Sequence, residues 1–159
     1  MNTPPNAMAL AQQPWLAFAL DGQHYAAPLS HVSEVIRDQP PTPVPGAAAD
    51  MLGICQLRGR VVPVMDGRRR LGLRAATNDA DDAARIVVFS HEGHRVGLRV
   101  DAVGELLHPQ AQAIEPPPPG RAVRADDPVE AVLAWQGGFI ALLDVLRLCR
   151  LGTELQGVA

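Results

Sequence analysis

The feature that most constrains this fold is a recurring pattern of a short apolar stretch, a glycine turn and a second apolar stretch. Segments of this kind predict β-hairpins, because glycine supplies the positive φ that a tight turn between two strands requires. The pattern occurs four times, with turns at Asp21-Gly22, Arg58-Gly59-Arg60, His91-Glu92-Gly93 and Gly137-Gly138. The sequence therefore predicts an all-β (mainly β) chain of short antiparallel hairpins.

The hairpins belong to an internal repeat. A shift of 71 residues aligns Gly22 with Gly93, and a shift of 78 residues aligns Asp66 with Asp144. Each half has the same order of elements: hairpin, short helical turn, proline-rich loop, second hairpin and short helix. Repeated short strands with regular turns favour small barrels. We therefore predict two similar antiparallel β-barrel lobes that share an apolar seam, since each lobe alone would be marginally stable.

The domain organisation follows from the length of the chain and from one acidic segment. A chain of 159 residues has the size of one ordinary domain. Small and acidic residues over 75–84 predict a flexible linker between the lobes. The predicted divisions are a flexible N-terminal tail over 1–14, a single domain over 15–152 with lobe one at about 15–76 and lobe two at about 84–152, and a C-terminal tail over 153–159.

Charge and hydropathy exclude two classes of partner. A net charge of −3 gives no general attraction to a nucleic acid polymer, and no apolar run is long enough for direct membrane insertion. The first residues lack the basic and apolar regions of a secretion signal. We therefore expect a cytoplasmic protein.

The residues that support catalysis or metal binding in other proteins are scattered here. His91 and His94 are close in sequence, but they flank a predicted turn, and a zinc site needs three or four converging ligands. Cys55 and Cys149 each lie in an apolar run, where a thiol behaves as a small hydrophobe. Neither a nucleophile elbow nor a phosphate-binding glycine loop is present. The sequence predicts a protein that is not an enzyme and holds no metal and no cofactor.

An arginine cluster stands out in this acidic chain, consisting of Arg58, Arg60, Arg68, Arg69, Arg70 and Arg74. Arg58 differs from the others because it lies at a tight turn between two apolar strands. Arginine is favoured at protein interfaces for its planar head with several donors. One hypothesis is that Arg58 contacts a protein partner. The alternative is that all six arginines bind the phosphates of an anionic nucleotide second messenger, since arginine forks suit phosphate.

Three segments resemble the CheW-like family. The most recognisable motif of that family resembles the segment LRGRVVPVMD. Gly53 precedes this segment, and an arginine-bearing turn that ends in Leu71-Gly72 follows it. WLAFALDGQHYAAPLSHVSEVI resembles its first hairpin, and RIVVFSHEGHRVGLRVDAVGELL resembles its third hairpin. Gln56 and Gly67 depart from the usual motif. The resemblance covers about residues 15–151. The Ala- and Arg-rich composition, the proline-rich loops and the N-terminal tail suggest a divergent member, for example of a type IV pilus pathway or another signalling array.

The resemblance implies a fold, a role and a partner-binding site. The fold would be two tandem SH3-like five-stranded β-barrel lobes with short helices. The role would be that of a scaffold or adaptor in chemotaxis signal transduction of the two-component type. It would bridge a chemoreceptor cytoplasmic tip, through its apolar and acidic face, to a CheA-type histidine kinase. The implied partner-binding residues are Val32, Glu34 and Arg58, with Leu57 and Gly59 shaping the turn that presents Arg58.

Overall fold

The computed structural model describes residues 3–74, 82–118 and 127–150, which form a mainly β fold. The strands are β1 (Trp15–Leu20), β2 (Gln23–Pro28), β3 (Val32–Arg37), β4 (Met51–Leu57), β5 (Arg60–Asp66), β6 (Arg85–His91), β7 (His94–Val100), β8 (Ala102–Leu107), β9 (Ile114–Glu115), β10 (Val129–Trp135) and β11 (Gly138–Leu143). The helices are α1 (Ala7–Ala11), α2 (Gly67–Arg70) and α3 (Val145–Leu148), with 3₁₀ turns at Leu29–His31 and Ala111–Ala113. None of the described helices is long and apolar enough to cross a bilayer.

All four predicted hairpins are present, and they share one type of turn. Each turn has two residues, a non-glycine residue and then a glycine, both with positive φ. This geometry is that of a type I′ turn, whose twist matches that of the flanking strands. The turns are Asp21-Gly22, Arg58-Gly59, Glu92-Gly93 and Gln136-Gly137. The last lies one residue before the predicted Gly137-Gly138, because Trp135 pairs with Gly138 across the turn.

The strands form two sheets. Sheet A has the order β8-β1-β2-β11-β10-β9, and sheet B has the order β3-β6-β7-β5-β4. Under the repeat, β1 and β2 correspond to β6 and β7, β3 to β8, and β4 and β5 to β10 and β11. The first five strands of sheet A therefore have the same order as the five strands of sheet B, so the repeat seen in the sequence is also a structural repeat.

The sheets do not follow the lobe boundaries predicted from the sequence. The strands of sheet B follow one another in the sequence, from β3 to β7, whereas sheet A combines the first hairpin with the strands after Asp101. The first hairpin of each predicted lobe thus joins the sheet of the other lobe. Each of these hairpins joins its sheet through a pair of parallel strands, β2 with β11 in sheet A and β7 with β5 in sheet B. Hairpin patterns are local in sequence, so they did not indicate which hairpins would pair.

A shared apolar seam lies between the sheets, as predicted. It is the largest buried cluster in the described residues, and it joins Phe18 and Leu143 of sheet A to Phe89 and Leu98 of sheet B. Each sheet also encloses a smaller cluster of its own. Strand β6 contributes Val87 and Phe89 to the seam and Ile86 and Val88 to the interior of sheet B, which explains why residues 86–89 are all apolar.

Part of the predicted N-terminal tail, 1–14, forms helix α1. Helix α1 buries Ala7 and Leu10 against the interior cluster of sheet A. The indole Nε1 of Trp15 donates a hydrogen bond to the backbone oxygen of Leu10 at 2.8 Å. A helix of five residues is too short to show a periodic pattern, so the sequence did not predict it. The predicted C-terminal tail, 153–159, and most of the predicted linker, 75–81, lie outside the described residues.

Candidate functional site

Arg58 lies on the tight turn between β4 and β5. Its φ of 51° is in the left-handed region, and Gly59 follows at 79°. A left-handed residue other than glycine, asparagine or aspartate costs about 1 kcal/mol. The side chain is nevertheless 73% exposed, so packing does not compensate for this cost. The turn therefore presents a solvent-exposed guanidinium from a rigid hairpin.

Glu34 holds this guanidinium in place. Arg58 Nε donates to Glu34 Oε2 at 3.1 Å and to Oε1 at 3.4 Å, and Nη2 also donates to Oε1 at 3.4 Å. The Glu34 side chain is only 20% exposed. Because several donors of one planar group bind one carboxylate, the pair has a defined orientation.

The contact between Arg58 and Glu34 also joins the two edges of sheet B. Glu34 is on β3 and Arg58 follows β4, and these are the first and last strands of the sheet. An isolated bridge joins Ile54 of β4 to Thr42, which lies in the segment that follows β3. Sheet B therefore curls until its edges meet, as in a small barrel.

The structure brings together four of the five predicted partner-binding residues. Leu57 packs against the interior cluster of sheet B, beneath the turn that Arg58 and Gly59 form. Val32 packs against the seam instead, because a register shift in the β3–β6 ladder separates it from Glu34. We use the name Arg58 site for Glu34, Leu57, Arg58 and Gly59.

The six arginines of the sequence cluster do not converge, and the nucleotide-binding alternative is not supported. Arg70 is only 2% exposed and donates to the backbone oxygens of Leu148 and Arg147, both at 2.8 Å. Among the other arginines, Arg58 contacts Glu34 and Arg69 contacts Asp66. Arg68 and Arg74 both contact Asp21, and Arg68 also binds Asp101, while Arg60 is exposed on β5. The successive residues of helix α2 project in different directions, which sequence proximity did not reveal.

Asp101 is a structural residue that the sequence analysis missed. It lies where the chain returns from sheet B to sheet A, and it accepts hydrogen bonds from Arg68 Nη2 and from the backbone N–H of Asp21, both at 2.7 Å. Burial acts to raise the pKa of the Asp101 carboxyl, but these hydrogen bonds and nearby arginine charges outweigh it and lower the pKa below its ordinary value. The hydrogen bond to Asp101 raises the pKa of Arg68.

The histidines and cysteines do not form a reactive centre in the part of the chain that the structure describes. No group of three or more histidine, cysteine or acidic residues there is arranged to hold a metal ion. Cys55 and Cys149 are buried free thiols. Burial raises the pKa of Cys149 to about 12, and burial together with the charge of Asp38 raises the pKa of Cys55. Both side chains therefore remain protonated at neutral pH.

Comparison with known proteins decides the family. The family model described as the CheW-like domain matches residues 14–152. The chain belongs to the CheW-like family. It is similar to the chemotaxis protein CheW of Rhizobium meliloti (strain 1021), with 33% identity over 130 residues that cover 82% of this chain and 83% of the relative. Protein PilI of Pseudomonas aeruginosa is 31% identical over 100 residues, which cover 62% of this chain and 55% of PilI.

A solved CheW-like structure has the same fold. The crystal structure of the scaffolding protein TtCheW from Thermoanaerobacter tengcongensis matches with a TM-score of 0.72 and 29% identity. The match covers 82% of this chain and 88% of TtCheW. The predicted mainly β fold and the resemblance to the CheW-like family are therefore confirmed. Membership of the CheW-like family also confirms the prediction that the chain is a scaffold protein rather than an enzyme.

Proposed function

We propose that this CheW-like protein is a cytoplasmic adaptor that couples the cytoplasmic tips of chemoreceptors to a CheA-type histidine kinase. The observation that carries the proposal is the Arg58 site, where an exposed arginine on a hairpin turn is held in a defined orientation by a carboxylate. Arginine is one of the residue types that contribute most to binding at protein interfaces. The similarity to chemotaxis proteins and to a scaffolding protein supports the same role.

The charge balance of the Arg58 site indicates which contacts it makes. Glu34 already neutralises Arg58, so an acidic group on a partner would compete for the same donors. Arg58 Nη1 has no hydrogen-bond partner among the described residues, and it is available to a neutral acceptor such as a carbonyl or amide oxygen. The flat face of the guanidinium can pack against an apolar side chain. The apolar part of a receptor helical hairpin therefore contributes more to this contact than its acidic part.

Apolar surface next to the turn supports this mode of binding. Val61, three residues beyond Arg58 on β5, is 61% exposed. Leu57 supports the turn from below through its contact with the interior of sheet B. An arginine that is held on a hairpin turn beside an exposed aliphatic side chain is typical of the centre of a protein interface.

The pathway and the kinase-facing surface are separate proposals. The names of these similar proteins favour chemotaxis, and the type IV pilus pathway, which the composition, the proline-rich loops and the N-terminal tail suggest, stays a prediction. Binding of the kinase requires a second surface, since an adaptor must hold both partners at once. Signal then passes between them through the rigid geometry of the two sheets.

A reconstitution tests the adaptor role directly. The purified chain is mixed with a chemoreceptor cytoplasmic fragment and a CheA-type kinase from one genome, and complexes are separated by size-exclusion chromatography. We expect the receptor fragment and kinase to elute together only when this chain is present. Elution of the two partners at unchanged volumes with and without the chain would refute the role.

A further inference from the structure

Two arginines of sheet B, Arg60 and Arg95, make neither an ion pair nor a hydrogen bond within the described residues. Arg99, on the same strand as Arg95, differs because its Nε binds Asp38 Oδ2 at 3.0 Å. Arg60 is exposed and Arg95 is half-buried. The donors of both guanidinium groups are therefore available to a partner.

The two arginines lie on the same face of sheet B. Arg60 is two residues before Val62 on β5, and Val62 and Val64 both belong to the interior cluster. On the neighbouring strand, Gly97 pairs with Val64, and a side chain at Gly97 would meet Val64 Cγ2 at 3.4 Å. Arg95 is two residues before Gly97, and side chains two residues apart on a strand share a face. Both arginines thus extend from the interior face, at the end of the sheet where β5 and β7 begin.

The Arg58 site lies at this same end. Arg58 is on the turn that leads into β5, two residues before Arg60. Its partner Glu34 pairs with Val88 of the interior cluster, and cross-strand partners lie on one face. Neighbouring strands are about 4.8 Å apart, so one bound segment can reach Arg58, Arg60 and Arg95.

This end of sheet B has an excess of positive charge in an acidic chain. The net charge of the chain is −3. The three arginines here are accompanied by two carboxylates, Glu34 and Glu92. Glu34 is already bound to Arg58, and Glu92, on the turn between β6 and β7, is 76% exposed and lies 3.8 Å from His91 Nε2. An acidic partner is therefore attracted to this end despite the overall charge.

The corresponding end of sheet A has no arginine at the equivalent positions. Under the repeat, Gln136, Gly138 and His24 take the places of the three arginines. Sheet A nevertheless forms the same type of two-residue turn. Folding of the repeat therefore does not require arginine at these positions.

We propose that Arg60 and Arg95 bind acidic side chains of the partner that contacts the Arg58 site, an inference that rests on the proposed receptor-binding role. Arginine forks bind carboxylates with defined geometry. Because Glu34 competes for the donors of Arg58, a partner carboxylate gains more from the two free guanidinium groups. The receptor hairpin thus packs its apolar residues against Arg58 and places its acidic residues at Arg60 and Arg95.

The two kinds of contact have different kinetic effects. Charges at the rim of an interface act mainly on the rate of association and on its salt dependence. A side chain at the centre of an interface acts mainly on the rate of dissociation. Arg60 and Arg95 therefore steer the receptor towards the Arg58 site, while Arg58 holds it there.

Surface plasmon resonance with a chemoreceptor cytoplasmic fragment from the same genome, at about 50 and 300 mM salt, tests this division. Arg60→Glu and Arg95→Glu should each slow association about threefold to tenfold at low salt and reduce its salt dependence, with less than about a twofold change in dissociation. Arg37→Glu is the matched control. It makes the same change of charge at another exposed arginine without a partner in the described residues, at the opposite end of sheet B, and should associate like the wild type.

Arg60→Gln and Arg95→Gln remove one charge instead of two and should show about half the effect on the logarithm of the association rate. They keep the test valid if thermal melting shows that a glutamate variant is unfolded. Association of the folded Arg60 and Arg95 variants at the wild-type rate would overturn this inference alone, as would equal slowing in Arg37→Glu. A wild-type chain that does not bind the fragment at either salt concentration would refute the proposed receptor contact and this inference with it.

Discussion

Arg70 and Leu148 occupy equivalent positions in the two halves of the repeat, and the Arg70 side chain is hydrogen-bonded to the backbone of Leu148. Arg70 Nε donates to the backbone oxygen of Leu148 at 2.8 Å, and Nη2 donates to the backbone oxygen of Arg147 at the same distance. Helix α3 ends at Leu148, where backbone oxygens lack partners within the helix. A buried guanidinium from one half thus caps a helix of the other half and joins the two halves.

Replacing Arg70 with leucine should therefore destabilise the fold. The substitution leaves the buried backbone oxygen of Leu148 without this donor, a loss that costs about 1–3 kcal/mol, whereas the partly buried oxygen of Arg147 keeps the N–H of Arg150 as a donor. We expect the free energy of unfolding to fall by about 1–3 kcal/mol in urea titrations. Arg69→Leu, one position earlier on the exposed side of α2, should change it by less than about 1 kcal/mol. Equal effects of the two variants would contradict the capping role.

Arg58→Asn should leave the fold as stable as the wild type or more stable. Asparagine tolerates the left-handed conformation of the turn better than arginine does, which should contribute about 0.5–1 kcal/mol. The lost contact with Glu34 is partly exposed and offsets only part of this gain. Gln136→Asn, at the equivalent turn of sheet A, should have a similar effect on stability. Denaturant titration of both variants measures it, and a marked loss of stability in Arg58→Asn alone would show that the arginine is retained for folding.

The stability of the protein should depend on pH through Asp101. Its pKa is lowered in the folded state, so its contribution is present above the pKa of the unfolded chain, about 4. That contribution is lost as pH falls through this value towards the folded pKa. Asp101→Asn should therefore be less stable at pH 7, by about 1 kcal/mol, and should lose less stability than the wild type between about pH 5 and 3.

A double-mutant cycle with Arg68→Met identifies the partner of Asp101 in this effect. Arg68 Nη2 binds Asp101 Oδ2 at 2.7 Å, so the double variant should be little less stable than either single variant. Additive losses would show that the two side chains act independently and that the pH dependence arises elsewhere.

Local turn chemistry made the hairpins predictable. A residue such as Asp21 followed by Gly22 specifies a tight turn without reference to the rest of the chain. The exchange of hairpins between sheets was not predictable, because the pairing of Tyr25 with Ala141 joins positions more than a hundred residues apart. The repeat nevertheless predicted the shared seam, since two similar lobes of this size need one.

The candidate site was predictable only in part. The position of Arg58 on a tight turn between two apolar strands could be inferred from the residues. The family resemblance added Glu34 to the predicted partner-binding residues. Their mutual contact depends on how far sheet B curls, which the sequence pattern does not show. The sequence analysis grouped Arg70 with the exposed arginines, because no sequence pattern shows which of three consecutive arginines is buried.

The most direct test of the adaptor role of the Arg58 site is the affinity of the chain for a chemoreceptor cytoplasmic fragment, measured by titration calorimetry. Arg58→Glu places a second carboxylate beside Glu34 and removes the donor, so we predict at least about tenfold weaker binding, or 1.4 kcal/mol. Gln136→Glu adds a carboxylate at the equivalent turn of sheet A and should bind like the wild type. Binding by Arg58→Glu as tight as that of the wild type would contradict the proposed site.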